Sequence, residues 1–365
     1  MAIVTAKPQT TRNRILGVVE VAARKGKRQD AHPAAQIVFV DTPGVHKPGS
    51  QLDRRMLQEV HEALETRDVV LVLMDATRKA GIRDQGPGNR EEAGNREEAG
   101  NREQGTGNRE DDSGNERLST GEGQAPQQKL SKKQEIWASE DEFLFSLVRK
   151  LDCPVFLVLT KIDLVAKDML LPMIDALIKQ HHFAEVIPVS ARKKDGLDLL
   201  LRKIVEALPA GERYYPKDQY TDQPQRFMVA ELIRERILVE TGEEVPYAAA
   251  VVIERYEEAE PPAPPRKKGP PPRLPITRIA AAIYCEREGQ KAILIGKGGA
   301  KLKEIGTGAR KQIESLLGTR VYLELHVIVE PNWRESNSFI QSLDWRNQLE
   351  KIAERQGNEK PSDDE

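Results

Sequence analysis

Two short polar motifs, each at the end of an apolar run, constrain the fold of this chain more than any other feature. Asp41-Thr42-Pro43-Gly44 follows the apolar residues 37–40, and Thr160-Lys161-Ile162-Asp163 follows the apolar residues 155–159. The run at 155–159 is typical of strands in a parallel sheet covered by helices. Ligands of such sheets bind at the carboxyl ends of the strands, so we expect Asp41 to face a ligand crevice.

Strand and helix patterns alternate through the first 212 residues. Leu52, Met56, Val60 and Leu64 recur with helical spacing. Helices are also predicted at residues 170–179 and 197–208, and strands at 14–21, 36–40, 69–74, 155–159 and 186–189. We expect the run at 69–74 to be buried on both faces. The alternation indicates an α/β layer architecture.

Two insertions interrupt these patterns. Residues 84–133 contain a G-N-R-E-E-A hexad that starts at Gly88 and again at Gly94. Such a tract buries too little apolar surface to fold, so we predict a disordered surface insertion before a helix that starts near Gln134; a binding repeat is the alternative. Residues 257–275 are rich in proline and predict a stiff, extended loop, with an SH3-type ligand as the alternative.

The second half has its own order of elements. After a linker at 213–225, residues 226–335 predict the order α-β-β-α-α-β, and a tail at 336–365 starts helical. The predicted helices are 227–239, 289–295 and 301–317, and the predicted strands are 247–256, 277–285 and 320–329. Between Arg266 and Arg334 there are 14 Lys and Arg against 6 Asp and Glu. This local charge of +8, in a chain of net charge -2, favours nucleic-acid binding.

The composition excludes several other classes of protein. Cys153 and Cys285 lie far apart, so no disulfide framework or metal cluster is indicated. No apolar run approaches the roughly 18–20 residues that a membrane-spanning helix needs. A reducing cytoplasm fits these features.

The first motif suits a phosphate and metal loop. The Asp41 carboxylate can hold Mg²⁺ through water, Gly44 leaves its backbone N–H open to a γ-phosphate, and Pro43 restricts the loop. Upstream, Thr10 and Thr11 supply hydroxyl groups, and Thr11 is the better candidate for direct magnesium ligation. The alternative is a capping aspartate in a tight turn, since D-x-x-G is common by chance.

The second motif suits a guanine-reading loop. The Asp163 carboxylate can accept two hydrogen bonds from the guanine edge, and the aliphatic stem of Lys161 can lie along the base. Thr160 occupies the first position of the motif, where guanine-reading loops usually have Asn, and it supplies one hydroxyl group. One strand later, Ser190-Ala191 offers the Ala191 N–H to the base oxygen. A surface turn is the alternative for an isolated Lys-x-Asp.

A glycine-rich turn between two predicted helices suits a nucleic-acid backbone. In Gly296-Lys297-Gly298-Gly299 the small residues admit a close approach, while Lys297 and helix N-terminal N–H groups can meet phosphates. The alternative is a simple helix-joining turn beside a solvated basic face. The candidate RNA-binding residues are Ile295, Gly296, Lys297, Gly298, Gly299, Lys301, Lys303 and Arg310.

Together these segments resemble the Era GTPases. Residues 7–15 (K-P-Q-T-T-R-N-R-I) resemble that family's first switch, and residues 41–44 its second. Gln225-Arg226-Phe227, residues 287–291 (R-E-G-Q-K) and residues 295–299 resemble its C-terminal type II KH domain, which Leu323-Glu324-Leu325 and Asn332-Trp333 would close. The resemblance covers nearly all of the chain except residues 84–133 and those after about 336.

The resemblance implies an α/β P-loop-type GTPase domain at 1–212 followed by an α+β type II KH domain at 226–335. It implies GTP and GDP as ligands with Mg²⁺ as cofactor, and the 3′ end of small-subunit ribosomal RNA and the 30S subunit as partners in ribosome assembly. It also implies a cytoplasmic protein with loose, peripheral inner-membrane contact in some members, and DNA binding is not indicated. Val45 stands where many GTPases carry a water-positioning Gln, so slow hydrolysis is expected and no catalytic residue is assigned.

One family feature is absent from this sequence. No G-x-x-x-x-G-K-[ST] phosphate loop precedes Asp41, so the first strand, the phosphate loop and the first helix of the GTPase fold are missing. In that fold the missing strand lies between the strands at 37–40 and 69–74. We therefore expect Met1 to be a misassigned or truncated start.

Three other functions are alternatives to this one, and the sequence disfavours two of them. The first alternative is an RNA-binding KH module whose GTPase domain is degenerate and does not bind nucleotide. A translation GTPase acting elsewhere is disfavoured because no β-barrel-rich segment follows the first domain, and an ATPase is disfavoured by Asp163.

Overall fold

The computed structural model describes residues 10–25, 31–78, 132–242, 245–259 and 275–347. Residues 1–78 and 140–365 form one compact unit, and residues 79–139 form a second. The hexad insertion, most of the proline-rich loop and the end of the tail lie outside the described residues, and so do residues 7–9 of the first switch-like segment.

The first part of the chain forms an antiparallel strand pair and a capped helix. Strands β1 (Ile15–Val21) and β2 (Ala35–Asp41) pair with Ile15 opposite Asp41. Helix α1 (Gln51–Glu65) follows, and its N-terminus is closed by a capping box between Ser50 and Asp53. The predicted helical stripe is confirmed, since Leu52, Met56 and Val60 are buried.

A parallel sheet follows in the order β3-β4-β5, formed by Val70–Asp75, Val155–Thr160 and Glu185–Pro188. Helices α2 (Lys132–Val148), α3 (Lys167–Ile178) and α4 (Leu197–Ala207) alternate with these strands. The middle strand β4 is buried on both faces: Leu157 and Leu159 join one apolar cluster, while Phe156 and Val158 join another with Val21 and Ile37. This alternation confirms the predicted α/β architecture.

The prediction that residues 69–74 are buried on both faces is wrong for Leu73, whose exposed fraction is 63%. Among the described residues β3 pairs only with β4. Val72 and Met74 on one face are buried, and on the other face Val69 and Leu71 pack against an apolar cluster that does not extend over Leu73.

The second half of the chain is an α+β unit built on a mixed sheet. Its elements are α5 (Gln225–Glu240), α6 (Val245–Ala248), β6 (Ala250–Glu257), β7 (Ile276–Cys285), α7 (Glu288–Ile295), α8 (Ala300–Leu317) and β8 (Arg320–Val329). Strand β7 lies between β6, which is antiparallel to it, and β8, which is parallel. Apolar side chains of α5, α8 and all three strands form one core.

The predicted strand at 247–256 starts too early, because Tyr247 belongs to the short helix α6 and β6 begins at Ala250. A proline is tolerated in the first turn of a helix, so Val245-Pro246-Tyr247 closes a helical turn. The remaining order α-β-β-α-α-β is as predicted.

The last described segment packs back onto the first part of the chain. Helix α9 (Asn337–Leu343) contributes Ile340 to a cluster with Leu52 and Met56 of α1 and with Trp333. The Trp333 indole is fully buried and donates from Nε1 to the Ala248 carbonyl at 2.8 Å. Across the described part of the chain, none of the helices has the length and apolar character required to span a bilayer.

Candidate functional site

The two predicted magnesium ligands lie together at the end of β2. Thr11 Oγ1 donates to Asp41 Oδ2 at 3.0 Å, which joins residues 30 positions apart in the chain. Burial of the carboxyl raises the pKa of Asp41, and hydrogen bonds from Thr11 and from the Thr42 backbone oppose that rise. Two oxygen ligands of this kind suit Mg²⁺, which takes one or two carboxylates and keeps several waters.

The residues around this pair form an open loop. Pro43 is buried and Gly44 is exposed, and a Cβ atom on Gly44 would meet nothing within 4 Å. Thr10 accepts a hydrogen bond from Arg234 Nη2 at its backbone carbonyl. The Gly44 backbone is therefore accessible, as a phosphate contact requires.

Asp163 and Ser190 come together at the carboxyl ends of β4 and β5. Ser190 Oγ donates to Asp163 Oδ1 at 2.7 Å and accepts from the Lys193 N–H at 3.1 Å. The Ser190 hydrogen bond is the main cause of the lowered pKa of Asp163. The carboxylate is thus held in its ionised form, which can accept N–H donors, and Ala191 next to it is exposed.

Lys161 has a partner that sequence reasoning missed. Its backbone is left-handed, with φ 58°, and its Nζ lies 2.6 Å from Asp75 Oδ2. Asp75 ends β3 directly opposite Thr160, whose Oγ1 donates to the Met74 carbonyl at 3.2 Å. Burial raises the pKa of Asp75, but hydrogen bonds from Lys161 and Thr77 outweigh it, so the pKa is lowered. The sequence does contain an indication that Asp75 belongs to the site, since Asp75 follows an apolar run as Asp41 and Asp163 do.

The two groups of candidate nucleotide residues stand on different sheets. Asp41 ends β2 of the antiparallel pair and Thr11 precedes β1, whereas Thr160 ends β4 of the parallel sheet and Asp163 and Ser190 follow its strands β4 and β5. Within the described ranges no hydrogen bond links one group to the other.

The glycine-rich turn between α7 and α8 depends on its glycines. Gly296, Gly298 and Gly299 have φ values of 71°, 61° and 80°, in the region that favours glycine. A Cβ on Gly296 would lie 2.7 Å from the Lys301 Cβ, whereas one on Gly298 would meet nothing within 4 Å. Ile295 ends α7 just before this turn. The tight packing is at Gly296, and the open backbone is at Gly298.

The basic residues near this turn are not equally available. Lys297, Lys303 and Arg310 are exposed. Lys301 is half-buried, and its Nζ lies 2.6 Å from Glu304 Oε2. Lys301 therefore already has an anionic partner, and the other three offer free charge to a phosphate backbone.

Arg12 joins the first switch-like segment to the second half of the chain. Its Nη1 donates to the Ala249 carbonyl at 2.7 Å and its Nη2 to the Tyr247 carbonyl at 3.0 Å. Its guanidinium carbon lies 5.6 Å from the Trp333 ring centroid. Sequence reasoning placed Arg12 in the motif but gave it no role, because its partners lie more than 230 positions away.

Comparison with known families matches both halves. Residues 244–334 match a family model described as a KH domain, and residues 1–99 match one described as a 50S ribosome-binding GTPase. The GTPase Era of Lacticaseibacillus paracasei is 36% identical over 343 residues, which cover 94% of this chain and 87% of that protein. The chain belongs to the Era GTPase family. The predicted family and fold class are therefore confirmed.

Other Era proteins agree in sequence and in structure. The GTPase Era of Ruminiclostridium cellulolyticum is 31% identical over 95% of this chain and 89% of its own length. A crystal structure of an Aquifex aeolicus Era variant bound to GDP·AlF4⁻ superposes with a TM-score of 0.67 at 30% identity, covering 94% of this chain and 90% of the other. A crystal structure of Era with MgGDPNP and nucleotides 1506–1542 of 16S ribosomal RNA superposes with a TM-score of 0.66 at 31% identity, covering 94% of this chain and 90% of the other.

Proposed function

We propose that this chain is a guanine-nucleotide switch that binds small-subunit ribosomal RNA and assists assembly of the 30S subunit. The observation that carries the proposal is the Ser190–Asp163 hydrogen bond of 2.7 Å. It holds the Asp163 carboxylate in its ionised form after β4, where it can accept hydrogen bonds from a guanine base. The Era complex that holds both MgGDPNP and a 16S ribosomal RNA fragment supports the same pairing of ligands.

In the proposed nucleotide site, Asp163 accepts hydrogen bonds from the guanine edge while Lys161 lies beside it on Asp75. Thr11 and Asp41 would hold Mg²⁺, which would neutralise charge on the phosphates. Gly44 offers its open backbone N–H to the terminal phosphate. Val45 follows this loop and has no polar group to orient water, so we expect slow hydrolysis of GTP to GDP and phosphate.

In the proposed RNA site, the exposed turn at Gly298 admits the sugar-phosphate backbone. Lys297, Lys303 and Arg310 supply positive charge around the turn, and helix α8 begins directly after it. A helix N-terminus favours phosphate groups. The 3′ end of the small-subunit ribosomal RNA is the proposed ligand.

A second candidate is an RNA-binding KH module whose GTPase half does not bind nucleotide. The sequence contains no G-x-x-x-x-G-K-[ST] segment, and this observation favours it. The chain thus offers residues for the base, the magnesium ion and one phosphate contact, without the loop that usually surrounds the phosphates.

Exchanging one carboxylate tests the nucleotide half of the proposal. Binding of fluorescent GDP and XDP is measured on the native chain and on Asp163→Asn. We expect the native chain to prefer GDP and the variant to lose that preference by roughly 10–100-fold, about 1.4–2.8 kcal/mol, because an amide can donate to the second carbonyl of xanthine.

The surface variant Asp175→Asn, on α3, serves as the matched control and should behave as the native chain. An unchanged preference in Asp163→Asn would refute the assignment of Asp163. A native chain that binds neither nucleotide, yet binds RNA, would establish the second candidate.

A charge placed in the glycine-rich turn tests the RNA half. Gly298→Asp should abolish binding to an RNA of nucleotides 1506–1542 of 16S ribosomal RNA, measured by fluorescence anisotropy, because it repels the phosphates. Gly211→Asp, in an exposed segment with open space, controls for added charge. Gly298→Asn separates charge from backbone effects, since Asn tolerates a positive φ. Affinity of Gly298→Asp within about twofold of native, roughly 0.4 kcal/mol, would contradict the assignment.

We extend the proposal to the location of the chain, which we place in the cytoplasm with a peripheral contact to the inner membrane. Family membership supports this extension. Sedimentation with vesicles that contain anionic lipids tests the contact, and recovery of all protein in the supernatant at low salt would refute it.

A further inference from the structure

A small cavity lies where the first switch-like segment meets the KH half of the chain. Its volume is about 50 Å³, and its lining includes Arg12, Arg226, Glu231, Arg234 and Trp345. None of these residues belongs to the proposed nucleotide site or to the glycine-rich turn. The cavity therefore raises a question separate from the proposed function.

Three of the lining residues carry N–H groups that have found no acceptor. Arg226 Nε, Arg234 Nη1 and Trp345 Nε1 are buried and lack a hydrogen-bond partner. The Arg234 side chain is only 4% exposed. Buried donors are almost always paired in folded proteins, so three unpaired donors around one cavity indicate a missing acceptor.

The charges around the cavity do not balance. Of the described residues in its lining, three are arginines and one is a glutamate. Glu231 is already engaged by Arg234, at 2.9 Å from its Nε and 2.6 Å from its Nη2. Arg12 donates to the carbonyl oxygens of Ala249 and Tyr247. Burial, followed by the charge of Arg234, lowers the pKa of Arg12, as expected where positive charge is in excess.

The size of the cavity restricts the ligand. A cavity needs roughly 10–15 Å³ to hold one water molecule. A volume of about 50 Å³ therefore accommodates about three to five water molecules. The four oxygen atoms of a tetrahedral oxyanion take up about the space of that number of water molecules. Arginines bind such anions with several N–H groups at once.

We propose that this cavity binds a small tetrahedral oxyanion, with inorganic phosphate as the representative ligand. The anion would give acceptors to Arg226, Arg234 and Trp345 and would offset the excess positive charge. Because Arg234 also donates to the Thr10 carbonyl, the bound anion would fix the first switch-like segment against α5. This role is independent of the nucleotide and RNA assignments.

Direct binding to the full chain tests the proposal. Inorganic phosphate is titrated at constant ionic strength in chloride, with ³¹P line broadening and calorimetry as readouts. We expect saturable binding of about one phosphate per chain. Trp345→Phe keeps an aromatic ring beside Phe227, where the native rings lie 6.3 Å apart between centroids, and removes the N–H donor together with one ring of the indole. Trp345→Phe and Arg226→Gln should each weaken binding roughly tenfold, about 1.4 kcal/mol.

Controls separate this site from other anion sites. Arg149→Gln, an exposed arginine on the protein surface paired with Glu142, should leave phosphate affinity unchanged. Excess GDP should also leave it unchanged, whereas competition by GDP would place the phosphate in the nucleotide site and overturn the proposal. Equal affinity for acetate would overturn the tetrahedral class. Absence of saturable binding to the native chain, or native affinity in a folded Trp345→Phe variant, would overturn the site itself.

Discussion

At the scale of single residues, Asp163 shows what a motif can predict. Its place after an apolar run predicted a carboxylate at the end of a strand, and it is the second residue of the 3-10 turn that follows β4. Its partner Ser190 lies 27 positions later, at the end of the next strand along the sheet. Parallel strands bring such positions together, and the hydrogen bond then lowers the pKa of Asp163.

Removing that hydrogen bond should raise the pKa of Asp163. In Ser190→Ala the carboxylate loses its strongest hydrogen bond, so it should protonate at a higher pH than in the native chain. The stabilising contact is present above the ordinary carboxyl pKa and is lost as pH falls through the lowered value. Carbon-detected NMR titration of the side chain measures this shift.

The control for this prediction is Ser146→Ala, whose hydroxyl donates to the Phe143 carbonyl within α2. It should leave the Asp163 titration unchanged. An Asp163 pKa in Ser190→Ala equal to the native value would show that another contact lowers it.

Some residue roles could not be predicted from the sequence. The stem of Lys161 was predicted to lie beside a base, but the position of its ammonium group depends on Asp75. Asp75 lies on the neighbouring strand β3, opposite Thr160. Arg12 has partners in α6 and just before β6 that no local pattern indicates. Long-range pairs of this kind depend on the packing of the two halves, which a single sequence does not contain.

At the scale of elements, periodicity predicted most of the fold. The strand predicted at 320–329 has the bounds of β8, and α5, α7 and α8 differ from their predictions by one or two residues. The failures have physical causes: a proline in α6 resembled an extended segment, and the apolar layer that covers Leu71 of β3 does not extend over Leu73. An apolar run alone does not say whether both of its faces will be covered.

The exposed Leu73 of β3 predicts self-association. Leu73 is 63% exposed on a strand with one described neighbour, and exposed apolar edge strands pair with other chains. Leu73→Lys should lower light scattering severalfold at equal protein concentration, because a lysine on an edge opposes such pairing. Circular dichroism should remain native.

The matched control is Leu171→Lys, which changes an even more exposed leucine, 73%, on helix α3. It removes similar apolar area but leaves the strand edge untouched. If both variants reduce scattering equally, general hydrophobicity and not the edge of β3 causes association.

At the scale of the whole molecule, one buried carboxylate connects distant parts of the chain. Glu59 of α1 is fully buried and accepts from the Arg14 N–H at 3.3 Å, from Arg55 at 2.8 Å and from Arg346 at 3.2 Å. Arg55 in turn lies 2.5 Å from Asp344. The start of β1, helix α1 and the segment after α9 thus share one ionic network.

Removing this carboxylate should destabilise both halves together. Glu59→Ala leaves the Arg14 N–H and the half-buried guanidinium groups of Arg55 and Arg346 without this partner, so the free energy of unfolding should fall by about 3 kcal/mol. Urea unfolding followed by the fluorescence of the three tryptophans, of which Trp333 is buried, measures the loss.

Glu65→Ala, at the exposed end of the same helix, should change stability by less than about 0.5 kcal/mol. A loss in Glu59→Ala as small as that of this control would mean that water replaces the network at little cost.

The Glu59 network also bears on how the chain is made. Arg346 is synthesised 287 residues after Glu59, and Trp333, which closes the cluster on α1, is also made late. During translation the surface of α1 therefore stays open until almost the whole chain has been produced. The first half can form its strands early, but it acquires its final contacts only when the second half arrives, so a nascent chain released before Arg346 would lack them.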